Sequence, residues 1–213
     1  MMNIAACRLY GITDPSYTAI PLEEQVKAAV IGGCGIIQLR DKNSDEDMLA
    51  EKAAALLRVT RPLGALLIVN DSVYAAEKSG ADGVHLGQSD GSPEKARSIL
   101  GSGKIIGVTA KTVEQSVRAE SMGADYLGCG AIFPSPTKPG AIGVSRELLT
   151  EIVHSVNIPV YAIGGISSEN VLTLDGTGIS GIAVVSGVFS ASSSEDITMN
   201  ARRLSEQVKR ICI

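Results

Sequence analysis

Gln38, Arg40 and Lys42 alternate along the chain at the end of a short apolar segment. Alternate residues of a strand share one face, so the first two side chains lie together, and Lys42 joins them if the strand continues. Two cations beside an amide suit a ligand with several anionic oxygens. The alternative is that both cations form surface ion pairs with nearby acids, namely Asp41, Asp45 or Asp47.

Asp71 and Asp90 follow two successive apolar segments. Neighbouring parallel strands lie roughly 5 Å apart, so both carboxylates can reach one hard cation. The chain has no cluster of Cys or His, which favours Mg²⁺ over zinc. The alternative is that Asp71 caps the following helix and Asp90 orders a Ser-Asp-Gly turn.

Glycines and hydroxyl residues follow the last two apolar segments. The pair Gly164-Gly165 and the run Val185-Ser186-Gly187 offer backbone N–H groups of the kind that bind phosphate. A proline-stiffened segment, SPTKPG at 135–140, carries hydroxyls and a cation and could close over a substrate.

The residue arrangements that other common types of active site require are absent from the sequence. There is no Ser-His-Asp order and no acid pair set for glycoside hydrolysis. His85 lies inside an apolar segment, which predicts a core histidine with satisfied hydrogen bonds, and His154 is predicted at the surface. The cations Arg40, Lys42 and Lys138, with two carboxylates and Mg²⁺, would balance an ionised diphosphate. Such a site best serves the departure of a diphosphate.

These residues are positioned by a repeated alternation of short strands and helices. Eight apolar segments predict strands at 9–12, 35–39, 66–69, 83–86, 104–108, 126–129, 160–163 and 182–185. Stretches with helical spacing lie between or after them, including 22–31, 45–59, 112–122, 146–153 and 196–211. This alternation is typical of a parallel sheet covered by helices.

The predicted fold is an α/β protein, a (β/α)8 TIM barrel that forms a single domain over residues 1–213. The rival is an open doubly wound sheet, but no G-x-G-x-x-G follows the first segment. In a barrel, the polar residues above all lie at the carboxyl ends of strands, where active sites form. Helices are expected to end in glycine and to begin at capping residues, among them Ser44, Ser92, Thr112 and Ser167.

Composition limits the partners. The chain is 45% hydrophobic with only 3% aromatic residues, which predicts a core of Ile, Val, Leu and Ala. Its net charge of −4 comes with no basic run, so neither nucleic acid nor an anionic membrane is expected. The start of the chain lacks the pattern of a secretory signal, and the four cysteines form no C-x-x-C, so we expect a cytoplasmic protein with reduced thiols.

The sequence resembles the thiamine phosphate synthase family along essentially its whole length. The matching segments occur in the family's order: LYGITD at 9–14, QLRDK at 38–42, ND at 70–71, GADGVHLGQSD at 80–90, GADY at 123–126, IFPSPTKP at 132–139 and AIGGI at 162–166. The combination is specific, although each short segment alone is not.

The resemblance implies a magnesium-dependent transferase that joins an aminopyrimidine methyl diphosphate to a thiazole ethyl phosphate and releases diphosphate. It implies that the pyrimidine diphosphate is held by Gln38, Arg40, Lys42, Asn70 and Lys138, of which Arg40, Lys42 and Lys138 act in catalysis. It assigns Mg²⁺ to Asp71 and Asp90 and a pyrimidine contact to Thr109. The thiazole phosphate is assigned to Ser135, Thr137, Gly165, Val185 and Ser186.

One position departs from the family pattern and bears on the alternatives. The family usually reads Gly-Val-Ser-x-His after the fifth strand, where this chain has Thr109 and Lys111. The thiazole tautomerase relatives are expected to use that histidine, so its absence favours the synthase. A sugar-phosphate isomerase and a non-catalytic ligand-binding barrel remain as alternatives. A carboxylated or plain thiazole, the oligomeric state and derivation from a fused enzyme stay open.

Overall fold

The computed structural model describes residues 4–17, 19–134 and 143–212. Its eight strands are β1 Leu9–Ile12, β2 Ile36–Leu39, β3 Leu66–Asn70, β4 Gly83–Leu86, β5 Ile105–Ala110, β6 Tyr126–Gly130, β7 Val160–Ile163 and β8 Gly181–Val184. All are parallel, and they close in sequence order, with β8 paired to β1. The predicted (β/α)8 TIM barrel is confirmed.

Eight α-helices accompany the strands in the part of the chain that is described. They are α1 Leu22–Ile31, α2 Glu46–Thr60, α3 Val73–Ser79, α4 Pro93–Leu100, α5 Val113–Ser121, α6 Arg146–Ser155, α7 Ser186–Phe189 and α8 Ser194–Ile211. Each of the first six follows the strand of the same number, whereas β8 is followed by both α7 and α8. The carboxyl ends of all eight strands therefore open on one rim.

The connection after β7 differs from the expectation of a capped helix at Ser167. A short 3-10 helix, Val171–Leu174, takes its place, and its N-cap residue Asn170 makes no side-chain cap. Instead, the Asn170 amide accepts from the Ser167 N–H at 2.9 Å and donates to the Gly165 carbonyl at 2.8 Å. The Asn170 side chain therefore holds the loop after β7 in place of a helix.

Of the other predicted caps, those of α4 and α5 are confirmed and that of α2 is wrong. The Ser92 and Thr112 hydroxyls accept from backbone N–H groups in the first turns of α4 and α5, as expected of caps. The cap of α2 is Asp45, which accepts from the Met48 N–H, and not Ser44. The Ser44 hydroxyl instead donates to Asp41 at 2.8 Å and accepts from Lys52 Nζ at 2.9 Å.

Apolar side chains form one layer between the barrel and its helices and a second layer inside the barrel. The inner layer contains three tyrosines, Tyr10, Tyr126 and Tyr161, with ring centroids 5.6–5.9 Å apart. The expectation of a purely aliphatic core is therefore wrong inside the barrel. Space for one ring comes from Gly107 on the neighbouring strand, where a Cβ would overlap the Tyr126 side chain.

The four cysteines, Cys7, Cys34, Cys129 and Cys212, are buried and form no disulfide. Burial raises the pKa of the Cys129 thiol to about 12, so this thiol is a core side chain and not a nucleophile. Within the described residues, no helix combines the length and apolar character needed to cross a bilayer.

Candidate active site

A cavity of about 660 Å³ opens at the carboxyl ends of the strands. Ten of the predicted site residues line it: Gln38, Arg40, Lys42, Asn70, Asp71, Asp90, Thr109, Gly165, Val185 and Ser186. The other three, Ser135, Thr137 and Lys138, lie outside the described residues. The barrel thus brings residues from six strand ends to one rim.

The cations after β2 reach the cavity without an extended strand. Because β2 ends at Leu39, the condition under which Lys42 would share the strand face of Gln38 is not met, and Lys42 is an exposed residue of the following turn. Arg40 pairs with Asp14 across a distance of 3.2 Å. This ion pair fixes the guanidinium at the rim.

The proposed surface pairing of these cations with nearby acids is not what the structure shows. Asp41 contacts Lys52 at 2.5 Å, and Asp47 contacts Lys78 at 2.7 Å. The charge of Lys42 instead acts on Asp71 and Asp90 and favours the ionised form of each, although stronger causes raise the pKa of Asp71 overall. The lysine therefore faces the carboxylate pair across the rim.

The two carboxylates predicted to lie together do so. Asp71 directly follows β3, and its φ of 65° is the left-handed conformation that few residues other than glycine adopt. Asp90 lies in the loop after β4, where it accepts a hydrogen bond from the Gly87 N–H at 2.8 Å. The cap of α3 is Ser72 and not Asp71, whereas Asp90 orders its own loop as the alternative interpretation suggested.

Proximity shifts the protonation of this pair. Burial and the neighbouring Asp90 carboxylate raise the pKa of Asp71 to about 6. Burial also acts to raise the pKa of Asp90, but hydrogen bonds with Asp71, Gly87 and Ser89 outweigh it and lower that pKa. Two carboxylates with opposed shifts are typical of a pair that shares a proton or a cation.

Below the rim, a chain of hydrogen bonds crosses the barrel interior. Gln38 Nε2 donates to the Tyr10 hydroxyl at 2.7 Å, and that hydroxyl lies 2.9 Å from the Tyr126 hydroxyl. His85 Nδ1 lies 2.9 Å from the Tyr126 hydroxyl, and His85 Nε2 lies 2.9 Å from Thr109 Oγ1. We call these five residues the hydroxyl relay.

Both histidine predictions hold. His85 is buried with a partner on each ring nitrogen, and burial lowers its pKa to about 4. It is therefore a neutral core residue at neutral pH and not a general base. His154 is exposed on α6, with Nδ1 2.8 Å from the Thr150 carbonyl oxygen.

Gly165 lies where the loop after β7 passes close to the loop after β6. Its φ is +63°, and a Cβ there would lie 2.5 Å from the Pro134 carbonyl oxygen and 2.7 Å from that of Phe133. Only glycine fits this close approach without displacing backbone. Val185 and Ser186 also line the cavity; they are the N-cap and the first residue of the short helix α7.

Sequence reasoning missed the tyrosines of the hydroxyl relay. Tyr10 and Tyr126 point inward from β1 and β6 and are almost completely buried. The available signal was a glycine in a neighbouring strand, Gly107, which leaves space for one of the rings. Asp14, the partner of Arg40, was likewise not singled out.

Comparison with known proteins identifies the family. The family model described as thiamine monophosphate synthase matches residues 9–188. The chain belongs to this family. A thiamine-phosphate synthase of Ruminiclostridium cellulolyticum is 44% identical over 199 residues, which are 93% of each chain. One of Clostridium acetobutylicum is 42% identical over 204 residues, which are 95% of each chain.

A solved structure agrees with the thiamine monophosphate synthase family. Thiamine phosphate pyrophosphorylase from Pyrococcus furiosus superposes with a TM-score of 0.89 at 38% identity, covering 98% of this chain and 99% of that one. The chain is therefore an enzyme of thiamine biosynthesis, a transferase, and the predicted resemblance is confirmed. The alternatives of a sugar-phosphate isomerase and of a non-catalytic barrel are set aside.

Proposed function

We propose that this thiamine-phosphate synthase joins 4-amino-2-methyl-5-(diphosphooxymethyl)pyrimidine to 4-methyl-5-(2-phosphoethyl)thiazole, or to its carboxylated form, giving thiamine phosphate and diphosphate. The carboxylated form would release CO2 as well. One observation carries the assignment of the site. Asp71 and Asp90 lie side by side, Lys42 acts on both, and Arg40 lines the same cavity. Carboxylates and cations gathered in this way suit a diphosphate bound with a divalent ion.

The residues present fit Mg²⁺. The donors are hard carboxylate oxygens, and the mutual repulsion that helps to raise the pKa of Asp71 would be relieved by a shared cation. No group of three or more His, Cys, Asp or Glu residues that could hold a metal occurs among the described residues. Mg²⁺ can be held by only two protein carboxylates, because water and substrate phosphates complete its coordination shell. When bound, it would neutralise charge on the departing diphosphate.

The cations at the rim hold the leaving group. Arg40, Lys42 and Asn70 come from the ends of β2 and β3, and we assign the diphosphate oxygens to them together with Lys138. The bond between the methylene carbon and the diphosphate oxygen breaks first, and its electron pair leaves with the diphosphate. The lone pair of the thiazole nitrogen then forms the new carbon–nitrogen bond. We assign catalysis to Arg40, Lys42 and Lys138, which stabilise the charge that develops on the diphosphate.

The pyrimidine occupies the cavity floor in this proposal. Gln38 and Thr109 line that floor from opposite sides of the barrel and offer hydrogen bonds to its amino group and ring nitrogens. The dissociative route requires no strong base, which agrees with a histidine that is buried, neutral and bonded on both nitrogens.

The thiazole phosphate is assigned to the opposite part of the rim. Gly165, Val185 and Ser186 line the cavity there, and the first N–H groups of a helix have no partner within the helix. Ser135 and Thr137 would complete this subsite. The remaining proposals are a single domain over residues 1–213 and a location in the cytoplasm, where the cysteine thiols would remain reduced.

The test is a condensation assay with both purified substrates and Mg²⁺, with thiamine phosphate and diphosphate measured together. We expect the two products to form in equal amounts. Isomerisation of the thiazole without condensation would instead assign the protein to the tautomerase relatives. Absence of both reactions would contradict the proposed function.

A further inference from the structure

The hydroxyl relay has a direction, which follows from counting its protons. Each tyrosine hydroxyl has a single proton to donate. Gln38 Nε2 donates to the Tyr10 hydroxyl, so the arrangement that gives every hydroxyl proton of the relay an acceptor is the one in which Tyr10 donates to Tyr126. In that arrangement Tyr126 donates to His85 Nδ1, which is then unprotonated.

The same count continues to the far side of the barrel. A neutral imidazole with an unprotonated Nδ1 carries its proton on Nε2, which donates to Thr109 Oγ1. The threonine hydroxyl thus has its proton free for a ligand in the cavity that Thr109 lines. At the other end, Gln38 uses one N–H of Nε2 within the relay, which directs Nε2 toward Tyr10 and leaves Oε1 as an acceptor.

We propose that Tyr10, Tyr126 and His85 are positioning residues that fix Gln38 as an acceptor and Thr109 as a donor, and so select an aminopyrimidine over its oxo analogue. The inference rests on the proposed function, in which the pyrimidine lies between these two residues. A 4-aminopyrimidine presents an N–H donor and ring-nitrogen acceptors, which match the two ends of the relay. An oxo analogue presents a carbonyl acceptor and a ring N–H donor, which oppose them.

An oxo carbonyl in the place of the amino group faces Gln38 Oε1, and pairing it with Nε2 instead requires the Gln38 amide to turn over, which reverses every hydrogen bond of the relay. Reversal requires rotation of the Gln38 amide, of both tyrosine hydroxyls and of the threonine hydroxyl, together with transfer of the His85 proton to the other ring nitrogen. The hydrogen bonds lie among buried groups, so an unmatched donor or acceptor costs far more than it would in water. Selectivity is thus built into the barrel interior and not only into the contacting side chains.

The first test is the tautomer of His85, read by ¹⁵N chemical shifts of histidine-labelled enzyme at neutral pH. We expect the proton on Nε2 and an unprotonated Nδ1; the reverse tautomer would overturn the proposal. The chain has one other histidine, His154, so His154→Gln assigns the signals. This measurement needs no turnover and decides the direction of the relay even if the condensation assay fails.

The second test compares two variants that each remove one buried tyrosine hydroxyl. Tyr126→Phe interrupts the relay, whereas Tyr161→Phe removes a hydroxyl that bonds the Ile4 and Cys7 carbonyls and not the relay. We expect Tyr126→Phe to lower the ratio of kcat/KM for the amino over the oxo substrate by about tenfold. The KM for the thiazole phosphate should not change.

The control and the conservative variant complete this test. Tyr161→Phe should keep the wild-type ratio of kcat/KM for the amino over the oxo substrate. Thr109→Ser, which retains the hydroxyl, should also keep this ratio, whereas Thr109→Val should lower it. An equal fall in Tyr126→Phe and Tyr161→Phe would show that the tyrosines act only through packing and would overturn the positioning role. An unchanged ratio in Tyr126→Phe would overturn it as well.

Discussion

Asp71 is unusual in both its backbone conformation and the pKa of its carboxyl group. Among the described residues other than glycine, it alone has a positive φ, 65°, and its carboxyl lies against that of Asp90. Backbone strain of this kind persists where the surrounding structure fixes it, and here the Asp71 N–H donates to the His85 carbonyl at 2.8 Å. The arrangement costs stability and presents two carboxylates to one ion.

Replacement of this carboxylate should therefore stabilise the metal-free protein. The raised pKa of Asp71 means that its contribution to stability is full below about pH 4 and is lost as the pH rises through about 6. Asp71→Asn, which tolerates positive φ, should gain about 1 kcal/mol at pH 7.5, or roughly 2–4 °C in Tm. Thermal unfolding in chelator measures the gain, which should vanish at pH 4. A loss of stability at pH 7.5 would contradict the assignment.

Gly165 shows how a missing side chain can define a subsite. Gly165→Ala would bring a Cβ to 2.5 Å from a backbone oxygen at a φ of +63°, so the loop must move. We expect the KM for the thiazole phosphate to rise by about tenfold or more, because misplaced backbone loses oriented hydrogen bonds. Initial-rate kinetics with each substrate varied in turn measures the effect.

Gly64→Ala is the matched control for this change. Gly64 also has a positive φ, +71°, but no atom lies within 4 Å of a Cβ built there. It should lower Tm slightly and leave both KM values unchanged. Equal kinetic effects from the two variants would contradict the role of the close approach.

At the scale of elements, the turn between β2 and α2 is held by Asp41. Its carboxylate accepts from the Asn43 N–H, the Ser44 hydroxyl and Lys52 Nζ, and these bonds outweigh burial and lower its pKa to about 2. The turn carries Lys42 toward the carboxylate pair. Helix α2 therefore positions a cation of the site through a side chain that lies outside the cavity.

Lys52→Met should loosen this turn and weaken the pyrimidine diphosphate subsite alone. We expect its KM to rise severalfold while that of the thiazole phosphate stays unchanged, as steady-state kinetics would show. Lys78→Met is the control, because it removes an exposed ion pair with Asp47 near the same end of α2. The same change in both variants would indicate a general effect of surface charge.

At the scale of the whole molecule, the sequence predicted what depends on local patterns. Eight buried strands and their order follow from apolar runs separated by helical spacing, and polar residues after the strands meet because a barrel has one carboxyl rim. The contact between Asp71 and Asp90 could be predicted because their strands are neighbours. Both side chains follow strands that pair directly, β3 with β4.

The remaining features depend on contacts across the barrel, which spacing does not report. Tyr10, Tyr126 and His85 come from β1, β6 and β4, no two of which are neighbours, and their hydroxyl and imidazole groups meet only because the sheet closes. The helix expected at Ser167 was wrong because the Asn170 amide competes for the backbone groups of that loop. Side-chain hydrogen bonds of this kind override local propensity.

The most direct test of the account is turnover as a function of Mg²⁺, measured in the condensation assay for the wild-type chain and for Asp71→Ala. The account predicts that excess chelator lowers the rate by about 100-fold or more and that restored Mg²⁺ recovers it in the wild type but not in the variant. Full activity in chelator, or a variant as active as the wild type, would contradict the claim that this carboxylate pair acts with a divalent ion to release diphosphate.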